Sequence, residues 1–192
     1  MDLKNIIRKK ILADRKTFDE FAYVKQNRKI VEEVEHILKT VTSNEPFGYT
    51  NKKLVCGLYW PMKGEPDLLK LAISDSWSSA IPKILGTKMD FFYYKPGFPI
   101  ELSNFNKLMQ PKNNTKLLPD VVIIPGLAYS VNGHRLGFGT GHYDRYFTKL
   151  GTQSKIIKIG VCFHDYLFEY LPKEPHDIKM DYVITDSTIV SL

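Results

Sequence analysis

Several features that would place a protein outside the ordinary globular enzymes are scarce or missing here. Only two cysteines, Cys56 and Cys162, occur in 192 residues, which excludes a disulfide scaffold, and no Cys/His cluster has the spacing of structural zinc. Apolar runs stay well below the ~20 residues that span a bilayer. The basic first residues lack the apolar core and small-residue cleavage site of a secretory signal. We therefore expect a cytoplasmic monomer with no membrane partner and with both thiols buried as small hydrophobic side chains.

The composition is that of a folded chain, with 43% hydrophobic and 25% charged residues, both near globular averages. We find no internal repeat, low-complexity tract or linker, so residues 1–192 are predicted to form a single domain. The formal net charge of +6 suits either nucleic acid or small anionic molecules. Because the lysines are spread along the chain and no RNA-binding signature occurs, we favour small anionic substrates and expect no nucleic-acid partner.

Apolar periodicity predicts an alternation of helices and strands. The predicted helices cover residues 3–13, 17–39, 65–77 and 142–150. The predicted strands cover residues 54–60, 81–84, 89–94, 121–125, 156–163, 182–185 and 187–191, with a polar loop at 44–53 and irregular chain at 95–116. This order indicates a three-layer α/β/α domain with a mostly parallel central sheet. Ligands of such sheets bind beyond the carboxyl ends of the strands, where the loops after Trp60 and Pro125 would lie.

The segment after the apolar run VVIIP is the most informative part of the chain. Four glycines fall within nine residues: Gly133, Gly137, Gly139 and Gly141. Glycine permits positive φ and close backbone approach to a ligand, and the exposed amides can bind an anion at the start of the next helix. The loop matches neither the Walker nor the Rossmann pattern. On spacing alone, a simple tight turn remains the competing interpretation.

The full string RLGFGTGHYDR, with PGLAYS upstream, closely resembles the signature of the 5-formyltetrahydrofolate cyclo-ligases, also called 5,10-methenyltetrahydrofolate synthetases. The resemblance covers most of the chain and is weak between residues 70 and 115. It implies an enzyme of one-carbon metabolism that converts 5-formyltetrahydrofolate to 5,10-methenyltetrahydrofolate with ATP as co-substrate, releasing ADP and phosphate. It also implies Mg²⁺ as the cofactor.

The resemblance assigns two sets of residues to the nucleotide. Lys4 and Arg8 fit a K-x-x-x-R helix, and their i, i+4 spacing puts both cations on one helical face; solvated surface charges are the alternative. A continuous stretch of the signature is also assigned to ATP: Arg135, Leu136, Gly137, Phe138, Gly139, Thr140, Gly141, His142 and Tyr143. Arg135 and Asp144 are the implied catalytic residues.

Two carboxylates are implied as metal ligands, Asp144 and Asp177. Such a pair, completed by phosphate oxygens and water, is typical of Mg²⁺ sites. Local sequence alone does not choose between Asp177 and the nearby Asp181.

The folate site is implied by LYWPMKGEPD, residues 58–67. Glu65 would accept N–H groups of the pterin and Trp60 would line its pocket; an acid that favours a helix start and a core tryptophan are the alternatives. Part of the glycine-rich loop is also assigned to folate: Phe138, Gly139, Thr140, Gly141 and His142.

Two loop positions depart from the family pattern. Thr140 stands where lysine or glycine is common, and His142 where tyrosine is usual, so their contributions stay open. Two rival functions are considered: a sugar-phosphate isomerase or CoA-transferase-like enzyme, and a non-catalytic RNA-binding or regulatory relative.

Overall fold

The structure, a computed structural model, describes residues 2–17, 19–43, 53–104, 108–151 and 155–192. The predicted polar loop at 44–53 therefore lies almost entirely outside the described residues. Three α-helices are present in the described parts: α1 (Leu3–Asp14), α2 (Glu20–Ser43) and α3 (His142–Leu150). The strands are β1 (Leu54–Gly57), β2 (Trp77–Leu85), β3 (Lys88–Tyr93), β4 (Ile100–Leu102), β5 (Met109–Pro111), β6 (Lys116–Leu117), β7 (Val121–Pro125), β8 (Ala128–Ser130), β9 (Arg135–Leu136), β10 (Ile157–Val161), β11 (Leu167–Phe168), β12 (Tyr182–Ile184) and β13 (Ile189–Ser191).

Eight strands form the central sheet in the order β13-β12-β10-β7-β1-β2-β3-β6. The five central strands, from β12 to β2, run parallel to one another. The outer strands β13, β3 and β6 are antiparallel to their neighbours. This confirms the predicted mostly parallel sheet.

Successive residues of the central strands point to opposite faces of the sheet, as strand geometry requires. On β7, Val121 and Ile123 pack on the side of α2, whereas Val122 and Ile124 pack on the side of α3. Both faces are therefore covered by helices, which confirms the three-layer arrangement. Cys56 and Cys162 are buried free thiols, as predicted.

The predicted helix over residues 65–77 is wrong. A short 3-10 helix spans Leu69–Ile73, and the sheet strand β2 already begins at Trp77. Two acidic side chains suggested the start of a helix, but they stabilise turns instead. Glu65 accepts a hydrogen bond from the Met62 amide at 2.9 Å, and Asp67 accepts one from the Leu69 amide at 2.9 Å. Glu65 is therefore not a helix-start residue.

The apolar face of α2 differs from the sequence pattern in its first turns. Ile30, Val31 and Leu38 are fully buried, but Phe21 is 85% exposed and Val24 67% exposed. In this turn Tyr23 packs against the core instead, with its ring edge-on to the Phe163 ring at a centroid distance of 5.5 Å. No described helix is both long and apolar enough to cross a membrane.

The segment 95–116, expected to be irregular, contains strands in its described parts. β4 and β5 form a separate antiparallel pair, and β6 extends the edge of the central sheet. A third small sheet, in the order β11-β8-β9, lies under α1. It carries Arg135 on β9 and brings the N-terminal helix close to the glycine-rich loop.

Candidate active site

A cavity of about 350 Å³ opens where β1, β2 and β7 end, and its wall includes Trp60 and Pro125. This is the position that the sequence predicted from the topology of parallel sheets. All residues that the resemblance assigned to ATP, folate or metal line this single cavity, from Lys4 and Arg8 on α1 to Asp177 near the C-terminus. The structure brings them together; their assignment to particular ligands stays a prediction.

The glycine-rich loop adopts backbone conformations that favour glycine. Gly139 has φ of +94° and Gly141 has φ of +64°, and Gly141 occupies the N-cap of α3. A side chain at either position would be strained. Two arginine side chains lie beside the loop. A Cβ atom added to Gly137 would lie 3.5 Å from Cζ of Arg135, and one added to Gly139 would lie 3.6 Å from Cζ of Arg8. Amides and guanidinium groups thus share one wall, as anion binding requires.

Arg135 is held in place from three sides. Its Nη2 lies 3.1 Å from Oδ2 of Asp144, its Nη1 donates to the Pro125 carbonyl at 3.3 Å, and its guanidinium carbon lies 5.1 Å from the centre of the Tyr143 ring. Only 8% of the Arg135 side chain is exposed. A planar cation fixed in this way is preorganised to face a phosphate group.

Lys4 forms a second cluster with acidic residues from the C-terminal part of the chain. Its Nζ lies 2.8 Å from Asp177 and 3.0 Å from Glu174. Burial alone would lower the pKa of Lys4, but hydrogen bonds and charges from the two carboxylates outweigh it and raise that pKa. Burial likewise opposes ionisation of Asp177, yet the Lys4 ammonium and the Glu174 amide hold its pKa below the usual range. Both groups are therefore charged at neutral pH.

The two predicted metal ligands lie in the same part of the cavity. Oδ1 of Asp144 accepts the backbone N–H of Ile178, the neighbour of Asp177, at 3.3 Å. Asp181 instead pairs with Lys158. Its Oδ2 accepts a hydrogen bond from the Lys158 backbone amide at 2.7 Å and lies 2.8 Å from the Lys158 ammonium group. Asp181 does not line the cavity, so its position favours Asp177 over Asp181 as the partner of Asp144.

The described residues contain no group of three or more His, Cys, Asp or Glu side chains that could hold a metal. Mg²⁺, however, is commonly held by one or two carboxylates together with substrate phosphates and water. Asp144 and Asp177 therefore fit a magnesium ion that arrives with a nucleotide, and do not form an all-protein metal site.

Glu65 also lines the cavity and is only 2% exposed. Its Oε2 accepts the Met62 amide at 2.9 Å, while Oε1 has no hydrogen-bond partner among the described residues. Burial raises the pKa of Glu65 to about 7, against the opposing effects of the Met62 amide and the Arg15 charge. The carboxyl group is thus close to half ionised at neutral pH in the free protein.

The remaining predicted residues differ in their exposure. Trp60 is half-buried and lies edge-on to Tyr94 at a centroid distance of 6.2 Å, so one ring serves both the core and the cavity wall. Thr140 is exposed at the mouth. His142 is buried, and burial lowers its pKa, which keeps it neutral at pH 7.

The sequence missed two groups of residues around the cavity. The first is an apolar wall formed by strands β2, β3 and β5 and the segment before β5: Pro82, Ile84, Met89, Leu108 and Met109. These residues fall in the region of weak resemblance, and their types carry no chemical signal. The second group comprises Glu174, which contacts Lys4, and Arg15, which lies beside Glu65; both look like ordinary charged residues in the sequence.

The raised pKa of Glu65 predicts a pH-dependent stability. Because the folded-state pKa of about 7 lies above the usual value of 4.5, the folded protein binds more protons between these limits than the unfolded chain. Its free energy of unfolding should therefore fall as the pH rises through this window, by on the order of 3 kcal/mol. Denaturant unfolding of the free protein and of Glu65→Gln across this range tests the effect.

In that comparison the titrations of other groups cancel, so Glu65→Gln should gain stability relative to the wild type as the pH rises. A stability difference that does not change with pH would contradict the raised pKa.

Comparisons of the sequence and of the fold with known proteins find relatives of one kind. The sequence model of the 5-formyltetrahydrofolate cyclo-ligase family matches residues 1–186. The 5-formyltetrahydrofolate cyclo-ligase of Mycoplasma genitalium is 36% identical over 90 residues, covering 45% of this chain and 53% of that protein. The one from Saccharomyces cerevisiae is 32% identical over 94 residues, covering 47% of this chain and 43% of that protein. The matched part thus spans about half the length of these curated relatives.

Among solved structures, the 5,10-methenyltetrahydrofolate synthetase of Aquifex aeolicus superposes with a TM-score of 0.77 at 27% identity. The superposition covers 99% of this chain and 93% of that one, so the likeness extends over the whole fold. On the family match over residues 1–186, this chain belongs to the 5-formyltetrahydrofolate cyclo-ligase family.

Proposed function

We propose that this protein converts 5-formyltetrahydrofolate to 5,10-methenyltetrahydrofolate at the expense of ATP, with release of ADP and phosphate. The observation that carries the proposal is one cavity that is lined by all the residues assigned to ATP, folate and metal, in a chain that matches the family over residues 1–186. Its volume of about 350 Å³ is within the range of small-molecule sites. Family membership gives no support to the isomerase, transferase or RNA-binding alternatives.

The reaction needs a formyl oxygen to become a leaving group. In the proposed sequence this oxygen attacks the γ-phosphorus of ATP, the bond to the bridging oxygen breaks, and ADP leaves. The neighbouring folate nitrogen then attacks the activated carbon and closes the five-membered ring, its N–H proton is released, and phosphate departs. Such chemistry depends on positioning and charge neutralisation, which agrees with a cavity that offers cations and amides and no activated nucleophile among its described lining residues.

The nucleotide is placed at the end formed by α1 and the glycine-rich loop. Arg8 donates to the Gly137 carbonyl at 2.9 Å and so joins the helix to the loop, while Lys4 and Arg135 lie nearby in the same wall. In the free protein Lys4 and Arg135 are paired with Asp177 and Asp144. We infer that the phosphates take over these cations when the nucleotide binds.

Release of the two carboxylates would supply the ligands of Mg²⁺. Asp144 and Asp177 would hold the ion, and when bound it would neutralise negative charge on the phosphate oxygens. Because the same exchange frees cations for the phosphates and carboxylates for the metal, ATP and Mg²⁺ should strengthen each other's binding.

We assign the folate to the part of the cavity around Glu65. Glu65 would accept pterin N–H groups, Trp60 would contact the ring, and the apolar wall with Ile84 and Met89 would cover its other side. Since Glu65 is only 2% exposed, the pterin reaches it after a shift of the cavity wall, where Met62 is 37% exposed. The protein would act on these small molecules as a monomeric, cytoplasmic, single-domain enzyme.

The proposal is tested by mixing the protein with 5-formyltetrahydrofolate and Mg-ATP and recording the near-ultraviolet absorption band of the methenyl product. We expect the band to grow only when ATP is present and ADP to form in equal amount. Product formation without ATP, or ATP hydrolysis without the band, would contradict the assigned reaction.

Replacement of Lys4 by methionine should act mainly on ATP binding. The variant keeps the aliphatic stem and removes the charge, and a lost hydrogen bond between charged groups costs roughly 1.5–3 kcal/mol. We expect the apparent KM for ATP to rise about tenfold or more, with a smaller change in kcat. Lys9→Met, an exposed neighbour on α1, is the matched control. A rise in the KM for folate alone would show that the two ends of the cavity are reversed.

A further inference from the structure

Arg15 occupies an unusual position for a residue at the end of a polar helix. It is the C-cap of α1 and is only 5% exposed. Burial of a charged side chain is costly unless partners compensate it. The identity of those partners therefore shows what the burial of Arg15 achieves.

The guanidinium group contacts two loops of the cavity. Nη2 donates to the carbonyl oxygens of Gly126 and Leu127, at 2.9 and 3.3 Å, in the turn after β7. Nη1 lies 3.8 Å from Oε1 of Glu65. Its planar face also lies 5.2 Å from the centre of the Tyr166 ring.

The loop that carries Glu65 is shaped around this arginine. Gly64 has φ of +79°, and a Cβ atom there would lie 3.0 Å from Cγ of Arg15. Only a residue without a side chain fits this backbone conformation against the arginine stem. Arg15 therefore packs directly against this loop and also places a charge beside its carboxylate.

The distance between Arg15 and Glu65 has a chemical consequence. At 3.8 Å the pair attracts electrostatically but is too far apart for a hydrogen bond. Oε2 of Glu65 is occupied by the Met62 amide, whereas Oε1 accepts no hydrogen bond from the described residues. The cation thus compensates the carboxylate without using the acceptor that a ligand would need.

We propose that Arg15 is a positioning residue of the folate site, which favours the ionised form of Glu65, keeps Oε1 free of other hydrogen bonds for a pterin N–H, and ties its loop to the turn after β7. The inference rests on the proposed function, because it takes Glu65 as the folate anchor. Arg15 itself lines only a small groove beside the main cavity, so it acts through Glu65.

Two groups around Glu65 favour its charged form, the Met62 amide and the Arg15 guanidinium, and Arg15 is the charged one of the two. Within the described parts of the chain, the other titratable groups coupled to Glu65 are four tyrosines, Tyr23, Tyr59, Tyr129 and Tyr143, and the pKa of each is raised. They remain neutral across the range in which Glu65 titrates. Burial raises the pKa of Glu65, and the hydrogen bond from the Met62 amide and, to a smaller extent, the charge of Arg15 oppose that rise.

The first experiment measures the ionisation of Glu65 in the free, full-length protein. Carbon-13 labelling of glutamate carboxyl groups gives one resonance that Glu65→Gln removes, and its pH titration yields the pKa. An opposite charge within 4–6 Å shifts a pKa by about 1–3 units. We therefore expect Arg15→Met to raise the Glu65 pKa by about one unit or more, while Lys16→Met, an exposed neighbour, leaves it unchanged.

The second experiment measures binding of 5-formyltetrahydrofolate and of ATP separately by calorimetry, below and above neutral pH. Arg15→Met should weaken folate binding at neutral pH by about fivefold or more, and the loss should shrink as alkaline pH ionises Glu65. ATP affinity should not change. A general structural defect would weaken both ligands without this pH dependence.

Arg15→Lys decides the question if the methionine variant does not fold. Lysine keeps the charge but has a single ammonium group in place of the planar guanidinium. It cannot donate to the turn carbonyls and lie beside Glu65 at the same time. We expect a smaller rise of the Glu65 pKa and a several-fold loss of folate affinity, with ATP binding unchanged.

An unaltered Glu65 pKa together with unaltered folate affinity in the folded Arg15 variants would overturn the proposal. Absence of folate binding to the wild type would instead reject the proposed function, and the Glu65 titration would still test Arg15.

Discussion

Arg135→Ala is expected to lower kcat/KM by about 30-fold to about 1000-fold. The change removes a preorganised cation from the place where charge develops during phosphoryl transfer, and one such donor contributes roughly 2–4 kcal/mol to the stability of the transition state. Arg135 is anchored by Asp144, by the Pro125 carbonyl and by the Tyr143 ring. When phosphates replace Asp144, the Pro125 carbonyl and the Tyr143 ring would still hold the side chain, so its reorganisation on nucleotide binding should be small.

The measurement is steady-state formation of the methenyl product by Arg135→Ala, Arg135→Lys and an Arg28→Ala control, whose side chain is 67% exposed on α2. Lysine keeps the charge but not the planar fork, so its activity should be intermediate. Thermal unfolding of each variant checks that loss of the pair with Asp144 has not unfolded the protein. Wild-type kcat/KM in a folded Arg135→Ala variant would remove Arg135 from the mechanism.

Asp144→Asn is expected to reduce kcat by about 100-fold or more and to raise the Mg²⁺ concentration needed for half-maximal rate. Asparagine keeps an oxygen for the Ile178 amide, which Asp144 now accepts at 3.3 Å. It removes one of two charged metal ligands, and stabilisation of phosphoryl charge by the ion contributes several kcal/mol. The experiment is a titration of rate against Mg²⁺ at saturating ATP.

Asp181→Asn is the matched control, since Asp181 lies nearby in the sequence but pairs with Lys158 away from the cavity. We expect its Mg²⁺ titration to match that of the wild type and that of Asp177→Asn to resemble Asp144→Asn. Normal turnover of Asp144→Asn at low Mg²⁺ would show that the metal, if required, is held elsewhere. A large effect of Asp181→Asn would reverse the choice between the two aspartates.

Much of the fold could be predicted because its signals are local. The buried strand VVIIP and the helix that follows Gly141 have the predicted bounds, and the alternation of strands and helices gave the layers correctly. The error at residues 65–77 has a physical cause: Glu65 and Asp67 suit a helix start, but their carboxylates accept amides in turns. Burial of Trp77 in the sheet, where it pairs with Leu54, then outweighs the local helical pattern.

The sequence by itself determined the chemistry of this protein, in the form of the glycine-rich loop, its arginine and the acidic residues around it, because backbone freedom and side-chain charge are properties of single residues. Only the tertiary structure decided which charges meet. It pairs Lys4 with Asp177 rather than leaving it in solvent, and it buries Arg15 beside Glu65. Those contacts join residues far apart in the chain, and their geometry follows from how α1 packs over the small sheet near the ends of the parallel strands, which no local pattern encodes.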